Sequence, residues 1–148
     1  MPVTYKNGNA VSALIDGEID LLIHVCNDLH KMGSGIALEI KNRIADAYTA
    51  YKQRPSNLGT ISFGWSNPNR GMVCNMVAQS GYGKGIRHLN YAALADCLNK
   101  ISKGVSVKTI GLPFKLGADR AGGDWEIVLE LIEYFLKDFN VVIYKLEG

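Results

Sequence analysis

Two glycine-rich segments of this sequence have the composition of loops that hold a phosphate group against the backbone. The first runs from Met32 through Gly33, Ser34 and Gly35 to Ile36, between an apolar run and a segment with helical spacing. Its glycines let a phosphate approach the backbone, and the first N–H groups of a helix attract an anion. The alternative is an ordinary helix start that Ser34 caps. A Gly-x-Gly motif before a helix leaves both interpretations open.

The second segment, residues 113–125, repeats this order of apolar run, glycine-rich loop and helix. Asp124 is a plausible N-cap, and its carboxylate would compete with a phosphate for the same N–H groups. If this loop contacts a phosphate, we expect it to use the backbone from Gly117 to Gly122. Trp125 begins an apolar stripe and is interpreted as a core residue.

Two other side chains could take part in catalysis or ligand binding. His24 has an unperturbed pKa of about 6.5, which suits proton transfer, although a histidine in a buried strand is also commonly satisfied by internal hydrogen bonds. Tyr82 lies between glycines, where an aromatic ring could cover a ring or sugar or simply be exposed in a turn. The three histidines show no metal-ligand spacing and the three cysteines form no CxxC pair, so neither a metal nor a cofactor is predicted.

The elements that position these residues follow from hydropathy patterns. Apolar residues with helical spacing predict helices from Ile36 to Tyr51, from Tyr91 to Ile101 and from Trp125 to Leu136. Apolar runs rich in β-branched and aromatic residues predict strands over 3–6, 20–26, 59–64, 71–78, 108–114 and 141–146. The run over 20–26 is continuously apolar, as in a central strand covered on both faces. The predicted fold is therefore a three-layer α/β/α sandwich with a mixed central sheet of about six strands, its ligands beyond the carboxyl ends of the strands.

Length and charge limit the remaining possibilities. A chain of 148 residues is expected to form one domain spanning residues 1–148. The net charge of +2 gives too weak a field to predict nucleic acid or an anionic membrane as the main partner. The sequence shows neither a signal peptide nor an uninterrupted membrane-spanning run, and its cysteines suit a reducing compartment. We therefore expect a cytosolic monomer.

The set of loops resembles the macro domains, the ADP-ribose-binding modules that include the ADP-ribose 1″-phosphate phosphatases. The resemblance extends over nearly the whole chain in the right order. It is carried by YKNGN (5–9), IHVCN (23–27), MGSGIA (32–37), VAQ (77–79), YG (82–83), LG (116–117) and AGGDW (121–125).

This resemblance implies ADP-ribose as the ligand and assigns parts of the ligand to residues. The adenosine end would lie near Gly8 and Asn9, where the family has a Gly-Asp pair; the carbonyl of Asn9 can still accept a bond from the adenine amino group. The two glycine loops would hold the diphosphate, and Asn27 would bond the distal ribose. The implied binding residues are Gly8, Asn9, Gly33, Ser34, Gly35, Ile36, Gln79, Tyr82, Leu116, Gly117, Ala118, Arg120, Ala121 and Gly122.

The resemblance also implies a reaction, on which subclasses of the family differ. The phosphatase-like branch has a histidine where His24 stands, so we predict hydrolysis of ADP-ribose 1″-phosphate with His24 as acid or base. Asn27 would orient the ribose and Asp119 would position the water. Members that cleave ADP-ribose from protein use a lysine–aspartate pair that is missing at the aligned positions, although Lys84 and Asp119 lie nearby. Two alternatives remain: a hydrolase that removes ADP-ribose from macromolecules, and a reader without turnover.

Overall fold

The computed structural model describes residues 3–67, 70–83 and 86–146, which form six strands and five helices. The strands are β1 (Val3–Asn7), β2 (Leu21–Asn27), β3 (Ile61–Asn67), β4 (Arg70–Gln79), β5 (Thr109–Pro113) and β6 (Asn140–Lys145). The helices are α1 (Ala10–Ile15), α2 (Gly35–Arg43), α3 (Ala45–Gln53), α4 (Tyr91–Gly104) and α5 (Trp125–Phe135).

The strands form one mixed sheet in the order β1-β6-β5-β2-β4-β3. Neighbouring strands are parallel from β1 across to β4, whereas β3 pairs antiparallel with β4 at the edge. The register between β2 and β4 shifts at Cys26 and Asn27. The carboxyl ends of five strands therefore lie along one edge of the sheet, and a bulge interrupts the pairing at that edge.

Helices cover both faces of the sheet. Helices α4 and α5 bury Leu21 and Ile23 of β2 on one side, and α1, α2 and α3 pack on the other side over Leu22. Successive residues of a strand point to opposite faces, so a continuously apolar β2 serves both layers. The predicted three-layer α/β/α class and its mixed sheet of six strands are confirmed. No helix in the described part of the chain combines the length and the apolar character needed to cross a membrane.

Two predicted helical features are corrected. The single helix expected from Ile36 to Tyr51 is two helices, because Ile44 leaves the helical region with φ −133° and ψ 72°. Ile44 remains buried, so the apolar spacing continues across the break and hides it from the sequence pattern. The short helix α1 was not predicted; its six residues give little periodicity, and its start is marked only by Asn9 as N-cap.

Close packing of α3 on β3 gives the first prediction, at Gly64. A Cβ at this position would lie 2.4 Å from the Cα of Ala47, a backbone atom that moves only if the helix moves. We expect Gly64→Ala to lower the free energy of unfolding by about 2 kcal/mol through overpacking. Chemical denaturation would measure it, with Gly104→Ala as control because a Cβ there meets nothing within 4 Å. Equal unfolding midpoints in the two variants would contradict this account of the α3 contact.

Candidate functional site

A cleft of about 970 Å³ lies at the carboxyl ends of the parallel strands. Because the strand order is β1-β6-β5-β2-β4, the residues that follow each strand line the cleft in that spatial order. Asn9 and Leu146 are at the β1 and β6 end, and Gln79 and Tyr82 are at the β4 end. The two glycine loops follow β2 and β5 and therefore lie between these ends. An elongated ligand would extend across the strand ends.

The loop from β2 to α2 presents backbone and a hydroxyl to the cleft. A Cβ on Gly33 would meet nothing within 4 Å, and Gly35 has a φ of +58°, which favours glycine. Ser34 occupies the N-cap position of α2 with no side-chain capping hydrogen bond. The capping alternative for Ser34 is therefore not realised through its side chain, and the α2 N-terminus faces the cleft as an anion site would require.

The loop from β5 to α5 supplies the charged side chains on the opposite wall. The Nε atom of Arg120 would lie 3.6 Å from a Cβ placed on Gly35, so the guanidinium reaches across to the first glycine loop. Asp119 and Lys115 also line the cleft, and Lys115 has an unusual φ of 62°. Asp124 caps α5 through a 2.9 Å bond from the Glu126 N–H, as predicted. The loop thus places both a cation and a carboxylate next to the glycine backbone.

Asn9, at the β1 end, is already occupied by internal hydrogen bonds. Its Oδ1 accepts from the Ser12 N–H at 2.9 Å, which caps α1, and its Nδ2 donates to Oε2 of Glu39 at 2.9 Å. Glu39 also lines the cleft and accepts a 2.9 Å bond from Arg43. Asn9 therefore lines this end of the cleft, as predicted from the sequence. The carboxylate beside it belongs to Glu39 of α2, at the end where the macro domain pattern has an Asp in place of Asn9.

Asn27 lines the cleft at the end of β2, with most of its side chain used to shape its own loop. Its Oδ1 accepts from the N–H groups of Leu29 and Lys31 at 3.0 and 3.3 Å, and the Tyr51 hydroxyl lies 2.9 Å away. Its Nδ2 donates to the Lys31 carbonyl at 2.8 Å. Because an amide nitrogen has two hydrogens, one N–H of Asn27 remains for a ligand.

Asp28 holds the loop that carries Tyr82. Its Oδ1 accepts from the Gly81 N–H at 2.8 Å, and its Oδ2 is 3.3 Å from the Ser80 hydroxyl. Tyr82 follows directly, with 58% of its surface exposed, and lines the β4 end of the cleft. The proposed lysine candidate of this loop, Lys84, lies outside the described residues. The position of Tyr82 therefore depends on the Asp28 carboxylate.

Removing that carboxylate should loosen the loop. We expect Asp28→Ala to raise the hydrogen-exchange rate of the Gly81 amide about tenfold, because the loss of its charge-assisted bond lowers the local opening free energy. Native-state hydrogen exchange measures this directly. Asp138→Ala, an exposed carboxylate after α5, is the matched control. Unchanged exchange at Gly81 would show that Asp28 does not hold the loop.

The structure places His24, predicted as the acid or base, outside the cleft. Its side chain is fully buried and does not line the cleft. Its partner Asn75 also bonds a carbonyl of α3, so the ring lies on the α3 side of the sheet. The ring Nε2 lies 2.6 Å from Oδ1 of Asn75, whose Nδ2 donates to the Ala47 carbonyl and the Ser62 hydroxyl. Nε2 therefore carries the proton, and burial lowers the pKa of His24 to about 4. His24 therefore fits the alternative given from the sequence, a histidine in a buried strand that is satisfied by internal hydrogen bonds.

The adjacent thiol is also unsuited to chemistry. Cys26 borders the cleft, but only 3% of it is exposed. Burial raises the pKa of its thiol well above the usual range, so the nucleophilic thiolate is not formed near neutral pH. The three cysteines are free. Within the described ranges, no cluster of three or more His, Cys, Asp or Glu side chains is arranged to hold a metal ion.

The structure brings most of the predicted site residues to one cleft. Three do not line it: His24, Ala118 and Gly122. A Cβ on Gly122 would lie 3.1 Å from the Arg87 Cα, so this glycine faces the segment before α4; Ala118 is held in a turn by a 2.8 Å bond to the Lys115 carbonyl. The predicted residues that do line it are Gly8, Asn9, Asn27, Gly33, Ser34, Gly35, Ile36, Gln79, Tyr82, Leu116, Gly117, Asp119, Arg120 and Ala121.

Several charged lining residues escaped the sequence analysis. Glu39 was missed because it lies inside a helix with no motif around it, whereas Lys31, Lys115 and Lys145 flank motifs that were recognised. Including Arg120, four basic and two acidic side chains among the residues that the structure describes line the cleft. A chain with a net charge of only +2 thus concentrates positive charge where an anion would bind.

Comparison with known proteins places this fold among the macrodomains. No protein-family model matches the sequence. An uncharacterised 17.5 kDa protein from the tk-vs intergenic region of Enterobacteria phage T4 is 26% identical over 158 aligned positions, covering 99% of this chain and 98% of that protein. A DNA ADP-ribosyl glycohydrolase of Mycobacterium tuberculosis is 26% identical over 166 positions; the match covers 99% of this chain but only 43% of that enzyme.

Solved structures agree with these matches. A protein of unknown function from Bacteroides thetaiotaomicron superposes with a TM-score of 0.83 at 26% identity, covering 98% of both chains. A macrodomain protein from Streptomyces coelicolor gives 0.77 at 26% identity, covering 97% of this chain and 98% of that one. DarTG of Thermosipho africanus in complex with ADP-ribose gives 0.75 at 18% identity, covering 98% of this chain and 42% of that one. The chain has the macrodomain fold.

Proposed function

We propose that this chain binds ADP-ribose in the cleft and hydrolyses the bond between C1″ of the distal ribose and a modified macromolecule. The observation that carries the proposal is the pair of glycine loops facing each other across one cleft, with Arg120 reaching from one loop to the other. Free N–H groups at a helix start and a guanidinium suit the two negative charges of a diphosphate.

The remaining parts of the ligand follow from the strand order. The adenosine would lie at the β1 and β6 end, where Leu146 and Ile36 offer apolar contacts to a base. The distal ribose would lie at the β2 and β4 end, between the free N–H of Asn27 and the ring of Tyr82. This orientation puts C1″ near the opening of the cleft beside Gln79 and Tyr82, where a macromolecule can remain outside the cleft.

Asp119 is the residue we propose for the chemical step. Two acidic side chains of the described residues line the cleft. Glu39 contacts Asn9 at the β1 and β6 end, whereas Asp119 lies on the β5–α5 loop, whose Ala121 carbonyl accepts bonds from the N–H groups of His88 and Leu89 beyond β4. In this proposal the Asp119 carboxylate orients a water molecule and takes its proton as the water oxygen bonds to C1″. The bond from C1″ to the macromolecule breaks, and the leaving group receives a proton from solvent.

ADP-ribosylated DNA is the first macromolecular substrate to test. The mycobacterial relative that matches along nearly the whole of this chain is a DNA ADP-ribosyl glycohydrolase. The basic side chains at the cleft, Lys31 and Lys115 among them, would favour a polyanion at its mouth. This local charge modifies the expectation, drawn from net charge alone, that nucleic acid is not a partner.

The phosphatase predicted from the sequence is the second candidate function. Because His24 does not line the cleft, it cannot be the acid or base of this reaction. Lys31 and Arg120 do line the cleft and would supply positive charge for a terminal 1″-phosphate. With Asp119 orienting water, phosphate would then be the leaving group. The two candidates differ only in the group attached to C1″.

One set of measurements separates these candidates. Titration calorimetry with ADP-ribose tests binding, and release of ADP-ribose from ADP-ribosylated DNA, ADP-ribosylated protein and ADP-ribose 1″-phosphate tests turnover in the same preparation. We expect saturable binding and turnover fastest on the DNA. Turnover only on the 1″-phosphate would favour the phosphatase, binding without any turnover would make the chain a reader, and absence of binding would refute the proposed function.

A further inference from the structure

We infer that Glu39 is the residue by which this cleft selects an amino-purine over a keto-purine, an inference that rests on the proposed function. Glu39 lies on α2, at the end of the cleft formed by Asn9 and Leu146. Its side chain is about one-third exposed, with 32% of its surface accessible, so it is open to a ligand yet held by its neighbours.

The hydrogen bonds of Glu39 leave one oxygen available. The Nδ2 of Asn9 and the Nη1 of Arg43 both donate to Oε2, each at 2.9 Å. No hydrogen bond from a described residue reaches Oε1. Arg43 is in turn fixed by a 3.0 Å bond to the Ser12 hydroxyl. The carboxylate is therefore oriented through one oxygen, and the other remains an acceptor.

An acceptor fixed in this way distinguishes purines by the group at position 6. The 6-amino group of adenine donates a hydrogen bond, whereas the 6-keto oxygen of hypoxanthine only accepts and would be repelled by the carboxylate. Asn9 is the weaker acceptor in our assignment, because its neutral amide oxygen already accepts the bond that caps α1 and its nitrogen donates to Glu39, whereas the Glu39 carboxylate is charged. Asn9 is thus a positioning residue and Glu39 the specificity-determining one.

The substitution Glu39→Gln should reverse the hydrogen-bonding sense of this group. Both donors on the ε2 position require an acceptor there, so the amide oxygen will occupy it and the amide nitrogen will occupy the ε1 position. The group facing the base then donates where the wild type accepts. A hydrogen bond to a carboxylate that is about one-third exposed supports about a tenfold effect on affinity in each direction.

The experiment compares the dissociation constants of ADP-ribose and of inosine diphosphate ribose, its hypoxanthine analogue, by calorimetry. We expect wild type to favour ADP-ribose about tenfold and Glu39→Gln to remove or invert that preference. Glu133→Gln, an exposed residue on α5, is the control that should keep the wild-type preference.

Asn9→Asp tests the assignment from the other side. Aspartate keeps the cap on α1 but loses the donor to Glu39 and places a second carboxylate beside it, so we expect weaker ADP-ribose binding. Stronger binding by Asn9→Asp, or an equal loss for both nucleotides in Glu39→Gln, would overturn the inference. Failure of wild type to bind ADP-ribose would instead refute the proposed function, so the two failures are distinguishable.

Discussion

Replacing Asp119 with asparagine should slow release of ADP-ribose about a hundredfold or more while leaving the affinity for free ADP-ribose within a few-fold of wild type. The amide has nearly the same size as the carboxylate but cannot accept a proton from the attacking water. Asp119 is exposed, and no described residue donates a hydrogen bond to its carboxylate, so its replacement should leave the fold intact.

Single-turnover kinetics on ADP-ribosylated DNA, together with calorimetry on ADP-ribose, would separate the chemical step from binding. Asp138→Asn is the matched control, since it makes the same chemical change on the exposed surface after α5. A rate for Asp119→Asn within threefold of wild type would remove Asp119 from the mechanism. The same comparison with ADP-ribose 1″-phosphate would show whether the carboxylate serves both leaving groups.

The second large effect is a loss of stability in acid that originates at His24. Burial lowers the pKa of His24 to about 4 in the folded chain, against a reference value of 6.5, while its bond to Asn75 opposes the shift. Between these two pH values the unfolded chain binds a proton that the folded chain does not. The contribution of neutral His24 to the free energy of unfolding is therefore fully present above pH 6.5 and falls as the pH drops toward 4. Below pH 4, His24 is protonated in both states and causes no further change.

The size of this effect follows from the interval between the two pKa values. At about 1.4 kcal/mol for each pH unit, His24 alone accounts for a loss of about 3 kcal/mol in the free energy of unfolding. Denaturant unfolding from pH 7 to pH 4 measures it. We expect His24→Gln, whose amide can still donate to Asn75 but does not titrate, to lose about 3 kcal/mol less than wild type over this range.

An NMR titration of the His24 ring provides an independent check on the same prediction. A midpoint near 6.5, or the same acid-induced loss of stability in wild type and His24→Gln, would contradict the structural role. Because His24 does not line the cleft, any effect of His24→Gln on turnover should follow stability and vanish where both proteins are fully folded.

Features that depend on neighbouring residues in the sequence were predictable. Each of the six predicted strands is present, since an apolar β-rich run between turn residues has few alternatives. The glycine loops were located correctly for the same reason, because a strand, a glycine-bearing turn and a helix start are local patterns. The rule that ligands bind beyond the carboxyl ends of parallel strands then gave the location of the cleft, and the resemblance to macro domains gave most of the residues that line it.

Features that depend on which side chains meet across the fold were not predictable. The sequence placed His24 correctly in β2, but the packing of α3 over that face decided that its ring bonds to Asn75, 51 positions later, and faces away from the cleft. Asn9 was identified as a polar residue of the site, yet Glu39, 30 positions later, supplies the carboxylate at the β1 and β6 end of the cleft.

The sequence by itself therefore determined the strands, most of the helices, the layered class and the loops that form the cleft. The tertiary structure decided the break at Ile44, the burial of His24 and the pairing of Asn9 with Glu39. Secondary structure and turns arise from steric and hydrogen-bonding preferences over a few residues, which the local sequence contains. The protonation and hydrogen-bonding roles of a side chain arise from the partners and the burial that long-range packing gives it.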